Sequence, residues 1–377
     1  MSGAQIEVQL IAVVVAAACA LPGVFLVLRR MALLSDAISH AILFGIVIAF
    51  FVVQNLASPF LIIAATATGL LTVFLVEVLN RTRLVKEDAS IGLVFPVLFS
   101  IGVILISRYA GNVHLDTDAV LLGELAFAPF SRFELMDYDL GPKALWLMGG
   151  ILILNTVLII VFFKEYKLIS FDSALASALG FSPMIVHYLL MTQVSITAVG
   201  AFDAVGSILV VALMIAPPAT AYLITDNLQK MILYSVIAGV VGALSGYWAA
   251  HWLDVSIAGS MATMSGVIFG LTFLFVPERG LLAQALRRRK QKWEFITVML
   301  LIHLFTHEGL PEAKTECRID HLTEHLSWNE TMARRVVEVV VEKKYAVIDG
   351  SLLRLTKLGK KIASDAIVNW TPSSQVL

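Results

Sequence analysis

The sequence predicts an all-α, polytopic membrane protein of eight or nine spans, followed by a small cytoplasmic α+β domain. Three observations carry this. Hydrophobic residues make up 59% of the 377-residue chain and charged residues only 15%, with a mean hydropathy of +0.87, too apolar for a soluble protein. Runs of roughly 20 apolar residues, the length a spanning helix needs, recur through the first three quarters of the chain. The charge is also uneven, because 15 of the 27 Lys and Arg lie in the last 97 residues. The chain therefore divides into a membrane body, 1–280, and a water-soluble tail, 281–377. The overall charge of -1 says little, since the two parts face different solvents.

The first span is placed at 6–28. The amino end, MSGAQIEVQL, carries no basic residue before the apolar run, so it lacks the leading region of a secretory signal and the segment reads as a retained span. Further spans fall at 33–54, 57–80, 90–108, 144–163, 184–202, 204–224, 230–250 and 256–276. The pair from 184 to 224 is nearly fused, which leaves the count at eight or nine. With the amino end outside, nine basic residues of the body fall in cytoplasmic turns, Arg29, Arg30, Arg81 and Arg83 among them, and only Arg108, Arg132 and Lys143 fall outside. The positive-inside rule then places the tail in the cytoplasm. Cys19 and Cys317 are the only cysteines; one lies in a span and one in the tail, so no disulfide framework is expected.

The long outer loop, 109–143, carries Asp116, Asp118, Glu124, Glu134, Asp137 and Asp139. An acidic outer face concentrates cations, although an ordinary solvated loop has the same look. His114 beside Asp116 and Asp118 offers a weak metal-greeting pattern. In VALMIAPPATAYLI, Pro217 and Pro218 remove helix donors, so a kinked or broken span is expected there.

The sharpest feature is Asp36 with His40, inside LLSDAISHAILFGIVIAFFVV. An ionisable residue in a membrane span points by default to function. A spacing of four stacks the two side chains on one helix face. Arg29 and Arg30 mark the cytoplasmic end of the first span, which puts Asp36 about two turns into the second. A buried pair satisfying itself is the plain alternative. The functional reading is half of a metal site, completed by a symmetry mate, with mixed O and N donors that suit Mn(II), Fe(II) or Zn(II). Between the fifth and sixth spans, KLISFDSALASALGFSP reads as a short amphipathic helix on the cytoplasmic side. Asp172 is its cap, Leu175 and Leu179 share a face, and Gly180 with Pro183 stops it.

These residues carry a resemblance. RRMALLSDAISHAILFGI resembles the hallmark of the manganese/zinc/iron ABC permease family, in which a small-Asp-Ala-x-Ser-His-Ala segment follows the first span. FDSALASALGFSP resembles that family's coupling helix, VGSILVVALMIAPPATAYL its late Pro-containing span, and AGSMATMSGVIFGLTFLF its last span. The matches run in the expected order over residues 5–280. One departure is Phe44 before Gly45, where the family usually has Pro. The resemblance implies a type II ABC importer-like permease, dimeric as a homo- or heterodimer, served by a cytoplasmic ABC ATPase dimer and an extracytoplasmic metal-binding lipoprotein. It implies that Asp36 and His40 are pathway ligands. It also implies that Phe171, Asp172, Ala174, Leu175, Ala178, Leu179 and Gly180 form the ATPase coupling helix. His187 matches a position often occupied by histidine in the family; a satisfied interfacial histidine is the alternative.

The tail opens with LRRRKQKW, a basic stretch suited to anionic membrane lipid. FITVMLLIHLF, RIDHLTEHL and SWNETMARRVVEVVVEKK read as helices, the third opened by a Ser327-x-x-Glu330 capping box. YAVIDG and LLRLT form a hairpin about Asp349 and Gly350, and a last helix is capped by Thr356. This order resembles the winged-helix domain of metal-dependent repressors. Arg334, Arg335, Lys343 and Lys344 would read nucleic acid, but Glu330, Glu338 and Glu342 share their helix, so DNA is not the expected partner. His303, His307, Cys317, His321 and His325 offer donors for a metal-sensing set.

The chain has no GxxxxGK[ST] and no HExxH or GxSxG, so the expected role is a transport subunit, not an enzyme, with ATP hydrolysis in a partner. The reading is the permease of an importer for a divalent transition metal in the cell membrane, manganese first, zinc or iron otherwise, with no permanently bound cofactor. The alternatives are a membrane-tethered metal-responsive regulator acting through the tail, and a passive or proton-coupled metal carrier.

Overall fold

The computed structural model describes residues 3–55, 58–109, 125–135, 138–322 and 328–370. It separates into two compact units, Met1–Gly280 and Leu281–Leu377.

The first unit is built from helices α1 (Gly3–Leu28), α2 (Ala32–Val53), α3 (Pro59–Arg81), α4 (Glu87–Tyr109), α5 (Lys143–Val161), α6 (Phe163–Phe171), α7 (Ser173–Ala178), α8 (Pro183–Ile224), α9 (Leu228–Leu253) and α10 (Ile257–Phe275). Eight of these are long and apolar enough to cross a membrane. A short hairpin, β1 (Arg132–Leu135) with β2 (Tyr138–Pro142), precedes α5. Arg132 ties it down, pairing with Asp139 and, at 3.2 Å, with Glu7 of α1. The interior is organised around α1, buried almost continuously from Ile11 to Leu26 and packed by α8, α9 and α5.

α8 has 42 residues, which a straight helix would extend to about 63 Å, roughly twice a hydrocarbon core. Both of its ends nevertheless meet α6. Pro183 and His187 share a cavity with Ile169 and Ser170, while Asp226 and Asn227, just past the other end, share one with Phe163, Lys167 and Phe171. The chain must therefore reverse inside α8. Gly206, at φ 77 and ψ 166, is where the helical dihedrals break, in a region of backbone space that essentially only glycine enters. Counting the two halves separately gives nine crossing segments among the described residues.

The interruption thus falls at Gly206, close to the boundary between the spans expected at 184–202 and 204–224. Pro217 and Pro218 lie within the second half of α8. Without an N–H, Pro218 leaves the carbonyl of Met214 without its usual helical donor. That oxygen faces Gly23 of α1, where a Cβ would sit 2.1 Å away. The prolines therefore lie where this half of α8 packs most closely on α1.

A buried polar ladder joins α5, α8, α1 and α6. The Asn155 amide donates to the Ala18 carbonyl and to Thr197 Oγ1, both at 2.9 Å. Gln193 donates to the Asn155 carbonyl at 3.2 Å, and the Tyr166 hydroxyl donates to Gln193 Oε1 at 3.1 Å. Away from water such groups must find protein partners.

The second unit contains α11 (Leu281–His307), α12 (Ala313–Glu316), a 3-10 turn (Ile319–His321), α13 (Glu330–Glu342), the antiparallel strands β3 (Ala346–Asp349) and β4 (Leu352–Leu355), and α14 (Lys357–Trp370). Ile296, Leu300, Leu304, Val336, Val340 and Leu353 are in its core. Thr356 caps α14 by accepting from the Gly359 amide. α13 opens later than the capping box implies: its cap is Asn329, which accepts from the Met332 amide at 2.8 Å, and Ser327 lies outside the described residues. The helix expected over 318–326 is a 3-10 turn as far as it is described. Arg335 stacks over Trp293 at 5.3 Å and Arg334 pairs with Glu330 at 2.8 Å, so both arginines already have partners within the tail.

Candidate metal centre

α2 buries one face, Leu34, Ala37, Ile38, Ala41 and Ile42, against its neighbours α3, α4 and α8. Leu33, Asp36, His40, Phe44 and Ile48 recur every three or four residues on the other, which stays partly or fully open. Asp36 and His40 therefore lie on an open stripe, with side chains 38% and 27% exposed and Asp36 Oδ1 3.2 Å from His40 Nε2. The His40 ring stacks on Phe95 at 5.8 Å and meets the edge of Phe99 at 6.0 Å. Asp36 is the fifth residue of α2, one turn in and not two, because the helix begins as soon as the Arg29–Arg30 turn closes. One chain thus presents two donors, whereas these ions take four or more.

Below the pair, at the Arg29–Arg30 turn, is a cavity of about 700 Å³ lined by Arg29, Glu77, Arg81, Glu87 and His187. His187 Nδ1 is 3.1 Å from the Arg29 guanidinium, which can only donate. Tyr188 donates to Glu77 at 2.7 Å, and Arg81 pairs with the same carboxylate at 2.7 Å. His187 is consequently placed in this charged chamber, apart from Asp36 and His40.

The segment after α6 folds as its residues dictate. The Asp172 carboxylate accepts from the Leu175 amide at 2.9 Å and opens α7. Gly180, at φ 87, closes it, with Phe181 N bonded to the Ala176 carbonyl and Gly180 N to that of Ser177, the Schellman pattern. Ala176 alone faces inward; Phe171, Ala174, Leu175, Ala178 and Leu179 are exposed. Phe171 is 62%, Leu175 47% and Leu179 61% exposed, which makes this turn an open apolar surface.

In the tail, the structure gathers part of the expected donor set and adds a member. His303 and His307 of α11 and Glu316 at the end of α12 bring their ligating atoms within 4.8 Å of one another. His321 Nε2 is 3.6 Å from Glu316 Oε1. Cys317 turns into the tail core and is not among the residues whose ligating atoms come together; burial, then the Glu308 and Glu316 charges, push its thiol up. Sequence spacing missed Glu316, because only the fold carries it back onto α11. His325, and in the outer loop His114, Asp116 and Asp118, lie outside the described residues.

Residues 4–276 match the model of the ABC 3 transport family. The chain is similar to the zinc transport system membrane protein TroD of Treponema pallidum (strain Nichols), 49% identical over 357 residues, covering 95% of this chain and 97% of that one. It is 50% identical over 275 residues to the manganese transport system membrane protein MntD of Bacillus subtilis (strain 168), covering 73% of this chain and 93% of that one. Among solved structures, PsaBC from Streptococcus pneumoniae in complex with Fab superposes with a TM-score of 0.62 at 29% identity, covering 74% of this chain and 94% of that one. The first alignment runs through most of the tail; the second is no longer than the membrane body.

Proposed function

The chain belongs to the ABC 3 transport family, and from that premise we propose that it is the permease subunit of an importer carrying a divalent transition metal across the cell membrane. ATP hydrolysis on a separate subunit drives it. The observation that carries this reading is the Asp36–His40 pair on the open stripe of α2. A carboxylate on the outside of a membrane bundle is costly against lipid. A second permease subunit facing that stripe both shields it and supplies two more donors, giving an O2N2 set suited to Mn(II), Zn(II) or Fe(II). Manganese stands first and zinc beside it, as in the names of the two relatives.

The remaining parts fit transport in sequence. An extracytoplasmic metal-binding lipoprotein delivers the ion at the outer face. The ion rests between the paired α2 helices and leaves through the charged cavity of about 700 Å³ at their cytoplasmic end. The α7 knob docks on the ATPase and transmits its closure. Cycling requires that the ion be held more tightly in the outward-facing than in the inward-facing state. The basic residues gathered in alternate turns support, by the positive-inside rule, a tail inside the cell.

The test is ATP-dependent uptake of Mn(II), Zn(II) and Fe(II), in parallel, by the complex in proteoliposomes. Asp36→Ala and His40→Ala are expected to abolish uptake while the protein still inserts. Undiminished uptake by both variants would remove the site.

A further inference from the structure

We propose that the tail holds a divalent transition-metal site of its own, with the imidazoles of His303 and His307 and the carboxylate of Glu316 as its ligands. This rests on the geometry of the second unit alone and stands whether or not Asp36 and His40 line a transport path.

A spacing of four puts His303 and His307 on one face of α11, with ring centroids 4.8 Å apart. Gly309, at φ 86, turns the chain after α11, and α12 then returns Glu316 to that face. The three residues offer ligating atoms within 4.8 Å of one another. Tetrahedral ligands at 2.0–2.2 Å from a single ion lie about 3.4 Å apart, so the site closes with side-chain movements of about 0.7 Å or less each.

The surroundings are those of a metal site. His303 Nε2 is 3.1 Å from the Glu316 carbonyl. Such a bond protonates that nitrogen, orients the ring and leaves the other nitrogen as a lone-pair donor, the usual second contact of a ligating histidine. His307 Nδ1 is buried with no hydrogen-bond partner, a costly state for a ring nitrogen unless something satisfies it. A bound cation does so. His321 Nε2 is 3.6 Å from the Glu316 carboxylate. Two nitrogens and a carboxylate oxygen favour Zn(II), Mn(II) or Fe(II) over Mg(II) or Ca(II).

Occupancy would fasten α11 to the strand pair. The residue after Glu316 is Cys317, whose carbonyl accepts from the Leu353 amide at 2.9 Å, and Arg318 bridges to Leu352. The ion therefore joins the helix to the segment on which the hairpin is hung.

Full-length protein in detergent, stripped with chelator, is titrated with Co(II) and followed by its visible absorption, with the metal content measured directly. The titration is run in an Asp36→Ala/His40→Ala background, which removes the membrane donors. One Co(II) per chain is expected there, bound at least about 10-fold more weakly in His307→Gln and in the near-isosteric Glu316→Gln, and unchanged in Cys317→Ser. No stoichiometric Co(II) in that background, or equal binding in both ligand variants, overturns the proposal. The same background variant, assayed for uptake, reports on the membrane pair separately: undiminished transport there would remove the pathway site and leave the tail site standing.

Discussion

Tyr166 shows how one side chain holds the body together. Its ring packs 4.9 Å from that of Phe25 on α1, and its hydroxyl closes the polar ladder by donating to Gln193. Burial pushes the phenol up from its ordinary value, so it remains a donor throughout the working pH range. Tyr166→Phe keeps the packing and strands the Gln193 carbonyl oxygen. The expected loss is about 1 kcal/mol, read as a lower midpoint in a detergent-unfolding titration. At this scale the membrane pair was legible in the sequence, because Asp36 and His40 are neighbours along one helix and spacing alone aligns them. Glu316 was not. Its partners are brought to it by a turn at Gly309, and no periodicity encodes that.

Among the elements, α1 and the second half of α8 pack so closely that glycine is required. Gly23→Ala would drive a methyl group to 2.1 Å from the Met214 carbonyl oxygen and 2.9 Å from the Pro218 ring. Neither neighbour is the far end of a flexible side chain, so the helices must separate. Overpacking of this kind costs about 1–3 kcal/mol, and a drop in Tm with reduced uptake is the expected result. Spans were easy to find from hydropathy, and Asp172 announced α7 by local cap chemistry. The reversal inside α8 showed only as a nearly fused pair of spans, 184–202 and 204–224, which left a count of eight or nine open. Both halves are apolar and helix-forming, and the prolines at 217 and 218 look more disruptive than the glycine at 206. A glycine break in an apolar run leaves no mark in hydropathy.

For the whole molecule, the division at Gly280 makes a prediction. The membrane unit has its own continuous core, and the manganese transport relative aligns over 275 residues, the length of that unit. A chain ending after Gly280 is expected to insert and to keep ATP-dependent metal uptake. A truncated chain that inserts but carries no metal would show the tail to be part of the transport cycle.

Composition and hydropathy determined by themselves that this is a multi-span membrane protein with a polar tail, and the spacing of Asp36 and His40 marked a candidate metal pair; the permease reading came from the resemblance of its motifs to a known family. Those signals are local: a bilayer demands apolar runs of fixed length, and an acid tolerated within one must have a purpose. Tertiary structure alone decided that α8 doubles back at Gly206, that the Asp36 stripe is left uncovered, and that Glu316 meets His303 and His307. Each of these depends on which surfaces close against one another, and that is settled by packing among segments far apart in the chain.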